Sequence, residues 1–242
     1  MFILSERRGL AMVYKTEQID GLTVRLRSSG QKGPVVYWPV AYSCEQQFER
    51  VSRVLSRSLG DTAWTLIAFE CENWNRDYSP WALPDTDRRQ GFTGGAEETL
   101  AWLRDSCIPA IEGEAKSVPC RMIGGYSLAG LFSLYAFYES RLFRGAAGCS
   151  SSLWYPGWRE YMAHKRSPEG SFLYLSLGRR EEKTRDPEMA AVGDMTRQQH
   201  ELAKNDPNLR ANELCWHNGG HFTEVDQRIA QGFAWLIRQA GA

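Results

Sequence analysis

The most constraining feature of the chain is a serine flanked by small residues, in the segment Gly124-Gly125-Tyr126-Ser127-Leu128-Ala129-Gly130. An apolar run (121–123) precedes this segment, and a helical-looking run (131–137) follows it. A strand that turns sharply into a helix holds its middle residue at a strained backbone position and lifts that side chain above the sheet edge. Glycine stands two positions before Ser127, whereas Ala129 stands two positions after it. The layout predicts a nucleophile elbow with Ser127 as a reactive group.

Two other interpretations of this segment stay open at this point. Gly125-x-Ser127-x-x-Gly130 is an altered dinucleotide fingerprint, with serine where the second glycine must admit a pyrophosphate. That interpretation needs an acidic residue at the end of the next strand, but the next apolar run ends in Ser150-Ser151-Ser152. The pattern is also short enough to occur in an ordinary loop.

Short apolar runs alternate with helical patterns along the chain. Strands are predicted at 34–40, 64–69, 121–123, 145–149, 171–177 and 213–216, and helices at 45–58, 93–112, 131–137, 186–205 and 226–239, with Thr93 as a cap. This alternation indicates an α/β fold with a mostly parallel central sheet and helices on both faces. A loose alternation from Val13 to Arg27, broken at Asp20-Gly21, predicts an antiparallel N-terminal hairpin.

The length and charge of the chain limit its organisation and partners. At 242 residues with 43% apolar content, it fits one α/β domain, 1–242, in which residues 1–11 form a loosely ordered N-terminal extension. Its 29 basic and 29 acidic residues give no net charge, so nothing favours nucleic acid or an anionic membrane surface as a partner. We therefore expect a small-molecule partner.

The N-terminus and the cysteines bear on the compartment. The first residues lack the long apolar stretch of a signal peptide, and no run approaches the ~18 apolar residues of a membrane span. The six cysteines are dispersed, without a C-x-x-C pair or the spacing of a metal site. We therefore expect a cytoplasmic protein with buried free thiols, no metal and no organic cofactor.

A serine hydroxyl needs a neighbouring base to become a nucleophile at neutral pH. The chain has four histidines, of which His164 and His200 lie in polar or mid-helical surroundings. His217 and His221 directly follow the last predicted strand, and Gly219-Gly220 lets the backbone turn the second of them toward the sheet edge. His221 is therefore the candidate base and His217 a supporting residue. A zinc site at His-x-x-x-His is disfavoured, because the two glycines oppose a helix and no glutamate follows the first histidine.

The third member of such a site is an acid that holds the histidine in place. In the order typical of a nucleophile elbow, this acid follows a strand between the serine and the histidine. Glu181 lies three residues beyond Gly178, where a predicted strand ends. The surrounding charge run is also typical of a solvated surface, and Glu182 or Asp186 could take the same role.

Backbone amides and aromatic side chains complete the candidate site. The developing oxyanion needs two N–H donors, for which we expect the amides of Leu128 and Ala41, since Pro39 has none to donate. Trp74, Trp154 and Tyr126 are the candidate substrate-binding residues. Trp81 and Tyr155 are also aromatic residues of this region, and at least half of its aromatic side chains should simply fill the core.

Several segments in the same order resemble the putative esterase (esterase D-like) family of the α/β-hydrolase superfamily, which includes S-formylglutathione hydrolases, feruloyl esterases and siderophore esterases. They are the elbow, 73–81, 92–98, 108–112, 150–154, 220–222 and 233–236. The resemblance implies an α/β-hydrolase fold with Ser127 as nucleophile, His221 as base and an acid near Glu181. The chain departs from the family at Ala129, at Ser151, where many relatives have proline, and at Trp38-Pro39-Val40 in the oxyanion loop.

These observations predict a serine carboxylic-ester hydrolase that acts on a small-molecule ester through an acyl-enzyme intermediate. An acyltransferase with the same triad in a drier site is the first alternative. A non-catalytic ligand-binding relative of the fold is the second. The acyl group, the alcohol and the oligomeric state are left unassigned.

Overall fold

A computed structural model describes residues 6–7, 10–30, 32–85, 90–113 and 118–241 of the chain. The strands in these ranges are β1 (Glu6–Arg7), β2 (Leu10–Ala11), β3 (Val13–Ile19), β4 (Leu22–Ser28), β5 (Val35–Val40), β6 (Thr65–Glu70), β7 (Arg121–Tyr126), β8 (Gly145–Cys149), β9 (Ser171–Gly178) and β10 (Leu209–His217). The helices are α1 (Glu45–Leu59), α2 (Trp74–Asp77), α3 (Ala96–Trp102), α4 (Ile108–Glu112), α5 (Leu128–Glu139), α6 (Trp158–Ala163), α7 (Pro187–Ala190), α8 (Val192–Lys204) and α9 (Val225–Ala240).

Eight of the described strands form one mixed sheet in the spatial order β10-β9-β8-β7-β5-β6-β4-β3. The six strands from β10 to β6 run parallel to their neighbours, whereas β4 pairs antiparallel with both β6 and β3. The hairpin between β3 and β4 turns at Asp20 and Gly21, which both have positive φ, as a tight two-residue turn requires. The mostly parallel sheet and the N-terminal antiparallel hairpin are confirmed.

Helices cover both faces of the sheet. On one face, buried side chains of α3, α5 and α8 pack against the strands, including Leu100, Phe132 and Met195. On the other face, α1 and α9 form a second apolar layer that includes Phe48 and Phe233. Strands β5, β8 and β9 are buried at every position, which explains why they are continuous apolar runs without polar alternation.

Two predicted helices differ in detail from the structure. The helix expected from Thr93 begins instead after Gly95, because Thr93 bridges Ala82 and Gly94 turns the chain with a φ of 83°. The helix expected over 186–205 is divided into α7 and α8 at Ala191. None of the helices in the described ranges is both long and apolar enough to cross a membrane.

The predicted N-terminal extension falls largely outside the described residues. Residues 1–5, 8 and 9 are among those not described. The remaining residues of this segment form the antiparallel pair β1 and β2, which is separate from the main sheet.

Candidate active site

Ser127 occupies the turn between β7 and α5. Its backbone has φ 60° and ψ −124°, a conformation that side chains larger than glycine rarely adopt. A Cβ atom on Gly125 would lie 2.5 Å from the carbonyl oxygen of Ala129, so only glycine fits at that position. The chain therefore makes the sharp strand-to-helix turn that the small residues predict, and it keeps a serine at the strained position.

The alanine that replaces the usual second glycine of the elbow is accommodated. Ala129 is buried, and its carbonyl accepts a hydrogen bond of 2.7 Å from the Ser133 hydroxyl one turn later in α5. The closest approach on this side involves Gly130, where an added Cβ would collide with the Ser151 hydroxyl. The position after Ser127 that requires glycine is therefore Gly130, one residue later than in the usual elbow.

We expect Gly125→Ala to lower the free energy of unfolding by about 1–3 kcal/mol, as overpacking of a tight contact does. The added methyl group must push the first turn of α5 away and displace Ser127. Equilibrium unfolding in denaturant measures the loss of stability. Gly241→Ala is the matched control, because its new methyl group meets nothing closer than 3.9 Å. Equal stability of the two variants would contradict the close contact.

Three side chains from distant parts of the chain meet above the sheet edge. His221 Nε2 lies 3.1 Å from Ser127 Oγ, and His221 Nδ1 lies 2.7 Å from Glu181 Oε2. The three residues follow β7, β9 and β10, whose parallel direction brings their carboxyl ends to one edge of the sheet. The structure thus brings together the serine, histidine and acid that the sequence singles out.

The Glu181 carboxylate is buried and fully engaged. Its Oε1 accepts hydrogen bonds from Ser150 Oγ at 2.8 Å, from the Gly178 amide at 2.7 Å and from Arg228 Nη1 at 3.1 Å. Burial by itself raises the pKa of Glu181, but the hydrogen bonds from His221, Ser150 and Gly178 outweigh it and lower the pKa below the usual glutamate value. Glu181 is therefore held as a carboxylate.

The two alternative acids are engaged elsewhere. Glu182 forms an ion pair of 2.8 Å with Arg197 on α8. Asp186 is the N-cap of α7, where its side chain accepts the amides of Glu188 and Met189. Because Glu181 Oε2 lies 2.7 Å from His221 Nδ1, Glu181 is the acid that the geometry favours.

His221 lies in the loop after β10, whereas His217 is the last residue of that strand. Gly219 has a φ of 93°, and Tyr126 donates a 2.6 Å hydrogen bond to the His221 carbonyl, which holds this loop over the elbow. Burial, and then the nearby Arg228 cation, lower the pKa of His217. Among the described residues, no group of three or more His, Cys, Asp or Glu side chains is arranged to hold a metal ion.

The two predicted oxyanion donors lie in different elements, Leu128 directly after Ser127 and Ala41 after β5. Leu128 is the first residue of α5, where backbone amides have no acceptor within the helix and point outward from its N-terminus. Ala41 directly follows β5 and lines the same cleft as Ser127. That these two amides bind an oxyanion stays a prediction.

Two clefts open on either side of the Ser127–His221 pair. The larger has a volume of about 690 Å³ and includes Trp74 and Tyr126, and the smaller, of about 330 Å³, includes Trp154. All three predicted substrate-binding residues thus lie in clefts that touch Ser127. Trp81, by contrast, packs against the core in contact with the rings of Tyr155, Trp158 and Tyr161, as expected for part of the aromatic set.

Sequence reasoning missed three residues around the site. Arg228 and Ser150 both contact the Glu181 carboxylate, and Ser152 Oγ lies 3.4 Å from Ser127 Oγ. The three consecutive serines after β8 were a usable signal, because they follow a strand that adjoins β7 at its carboxyl end. Arg228 gave a weaker signal, as one charged residue in the amphipathic pattern of α9.

The fold is that of the α/β-hydrolases, and the match to an esterase family model defines the class of protein as an esterase. The family model described as Putative esterase matches residues 20–225. The chain therefore belongs to the Putative esterase family. No curated protein sequence is similar enough to the chain to count as a match.

Three solved structures illustrate the shared fold. The siderophore hydrolase EstA from Aspergillus nidulans aligns with a TM-score of 0.74 and 17% identity, over 99% of this chain and 99% of its own. An IroE-like serine hydrolase from Shewanella oneidensis aligns with a TM-score of 0.73 and 17% identity, over 93% of this chain and 80% of its own. The enterobactin and salmochelin hydrolase IroE aligns with a TM-score of 0.68 and 17% identity, over 98% of both chains.

Proposed function

We propose that this esterase hydrolyses a small-molecule carboxylic ester through a catalytic triad of Ser127, His221 and Glu181 and an acyl-enzyme intermediate. The observation that carries the proposal is the hydrogen-bonded series from Ser127 Oγ through both ring nitrogens of His221 to Glu181, with distances of 3.1 and 2.7 Å. The strained φ of 60° at Ser127 supports it, because such strain at a non-glycine residue concentrates at functional positions.

The proposed reaction has two steps that share the same groups. Ser127 Oγ attacks the ester carbonyl carbon while the hydroxyl proton of Ser127 passes to His221 Nε2. Glu181 accepts a hydrogen bond from His221 Nδ1 and stabilises the imidazolium. The amides of Leu128 and Ala41 stabilise the negative charge on the carbonyl oxygen, and His221 returns its proton to the departing alcohol. Water, activated by His221, then attacks the acyl-enzyme and releases the acid.

The two clefts support a substrate with a bulky group on each side of the ester. Both clefts include Ser127 and His221, so a scissile bond at the serine would send its acyl part into one and its alcohol part into the other. Phe222 borders both clefts and is 91% exposed, which offers an apolar surface at the rim. EstA is a siderophore hydrolase by name and IroE an enterobactin and salmochelin hydrolase, so we propose enterobactin and other siderophore esters for the substrate panel.

Hydrolysis is favoured over acyl transfer and over simple binding. The His221 side chain is 32% exposed, so water reaches the base, whereas a transferase must exclude it. A strained serine that is hydrogen-bonded to a histidine is typical of a nucleophile, and simple ligand binding does not require it. Product analysis with water and a competing alcohol as acceptors distinguishes an esterase from a transferase.

Covalent labelling tests the proposal directly. A fluorophosphonate should add to the native protein once, at Ser127, since only an activated serine reacts with this probe. A p-nitrophenyl ester of a short acid should release p-nitrophenol in a burst that matches the labelled fraction. Protein unfolded in urea is the control and should remain unlabelled. A native protein without an adduct, or with the adduct on a different serine, would refute the proposed nucleophile.

We also propose a single domain over residues 1–242 and a cytoplasmic location. The joining of β3 to β10 in one sheet supports the first. All six cysteines lie in the described ranges and are free thiols, which supports a reducing compartment. The absence of net charge supports a partner other than nucleic acid.

A further inference from the structure

Arg228 is a fully buried cation beneath the proposed triad. It lies on α9, is 1% exposed, and its Nη1 contacts Glu181 Oε1 at 3.1 Å and the Tyr126 hydroxyl at 3.2 Å. Its Nη2 donates to the carbonyl of Asn218 at 2.8 Å. Arginine is rarely buried to this extent without a specific partner, because removing its charge from water is costly. Its partner here is the acid that faces His221.

The two oxygens of Glu181 have different partners. Oε1 accepts three hydrogen bonds, from Ser150, Gly178 and Arg228, whereas Oε2 faces His221 Nδ1. A carboxylate fixed at one oxygen cannot rotate about its terminal bond, so its second oxygen stays directed at the imidazole. Arg228 is the only one of the three donors to Oε1 that also carries a charge.

Arg228 also links Glu181 to the loop that carries the histidine. Tyr126, which accepts from Arg228, donates to the His221 carbonyl, and Asn218 lies in the same loop. One guanidinium thus contacts the acid, the end of the elbow strand and the histidine loop. We infer that Arg228 is a positioning residue that holds Glu181 against His221 and compensates the carboxylate charge during the esterase reaction. This inference rests on the proposed function.

The compensation has a consequence for the pH dependence. The titratable groups around Arg228 are Glu181, His221, His217, Glu224, Tyr126 and Cys149. Without the cation, the buried carboxylate is left with an uncompensated charge and attracts a proton to the Glu181–His221 pair more strongly. Protonation of this pair removes the base, so the acid limb of the kcat/KM profile should move to higher pH.

Two variants of Arg228 separate its charge from its shape. In Arg228→Met, we expect kcat to fall by roughly 100-fold, the lower end of what general base catalysis contributes, with KM changed less than about threefold. The acid limb should move to higher pH in this variant. In Arg228→Lys, which keeps the charge, the acid limb should stay near that of the wild type. A purely structural role predicts the same acid limb in both variants, and that result would overturn the inference.

A double-mutant cycle tests whether Arg228 acts through Glu181. Glu181→Gln alone should lower kcat by about 10⁴-fold, and adding Arg228→Met should lower it no further, because residues that act as a unit are not additive. The double variant removes both buried charges, so it avoids the unpaired carboxylate that could prevent Arg228→Met from folding. Effects on kcat that multiply in the double variant would refute the inference.

A measurement without substrate keeps the inference separate from the proposed function. The proton on His221 Nδ1 should give a low-field NMR resonance because of its short hydrogen bond to Glu181. This resonance should persist in Arg228→Lys and shift or vanish in Arg228→Met. An unchanged resonance in Arg228→Met refutes the inference whatever the activity, whereas an inactive wild type with a resonance that responds to Arg228 refutes the proposed function alone.

Discussion

Replacing Ser127 with alanine is expected to lower kcat for ester hydrolysis by roughly 10⁶-fold, as the loss of the nucleophile does in other serine hydrolases. The physical reason is that Ser127 Oγ lies 3.1 Å from His221 Nε2, so the substitution removes the hydroxyl that the proposed base would deprotonate. Steady-state kinetics with a p-nitrophenyl ester measure the effect, and the fluorophosphonate adduct should disappear with it.

The control for this variant is Ser140→Ala, which removes a hydroxyl at the far end of α5 that donates to the Ala136 carbonyl. Its kcat should stay near that of the wild type. The melting temperature of Ser127→Ala should also change little, because alanine keeps the same backbone strain. Residual hydrolysis within tenfold of the wild type in Ser127→Ala would rule out Ser127 as the nucleophile.

Replacing His221 with alanine should cause a loss of similar size, roughly 10⁶-fold in kcat. In the proposed mechanism His221 is the base for Ser127 and the group that Glu181 orients, so removing the imidazole disables both. The cavity left by the ring faces both clefts, so added imidazole should enter it and restore part of the activity. The rate as a function of imidazole concentration is the measurement.

The double variant Ser127→Ala/His221→Ala should be about as slow as either single variant, because the two residues act in one step. His217→Ala is the matched control, since His217 is the last residue of β10 and its Nε2 has no hydrogen-bond partner among the described residues. The assignment of the base would be wrong if His217→Ala lost as much activity as His221→Ala. It would also be wrong if added imidazole restored activity to His217→Ala and not to His221→Ala.

Much of the fold follows from local patterns. The apolar runs became strands because short buried segments between helical patterns can satisfy their backbone groups only in a sheet. The helix expected over 45–58 and the hairpin turn at Asp20-Gly21 were correct, since the helix ends at Gly60 and both places use residues that tolerate positive φ. The prediction of Thr93 as the helix cap was wrong. Thr93 forms a β-bridge with Ala82, and the Gly94 amide donates to the Ser79 hydroxyl, so both residues lie outside the helix.

The candidate site was predictable in part. Ser127 and His221 were marked by neighbouring glycines, which reveal sharp turns at strand ends. The choice among Glu181, Glu182 and Asp186 was not decidable from the charge run. The choice depends on hydrogen bonds from the Gly178 amide and the Ser150 hydroxyl to Glu181. It also depends on the ion pair that Arg197 forms with Glu182.

The sequence by itself determined the alternation of strands and helices, the elbow around Ser127 and the family to which these segments point. These features depend on sterics and apolar spacing within a few neighbouring residues. The tertiary structure alone decided which acid faces His221, the burial of Arg228 beneath it and the division of the site into two clefts. Each of these depends on contacts between residues about 30 to 100 positions apart, which form only when the packed sheet brings the strand ends together.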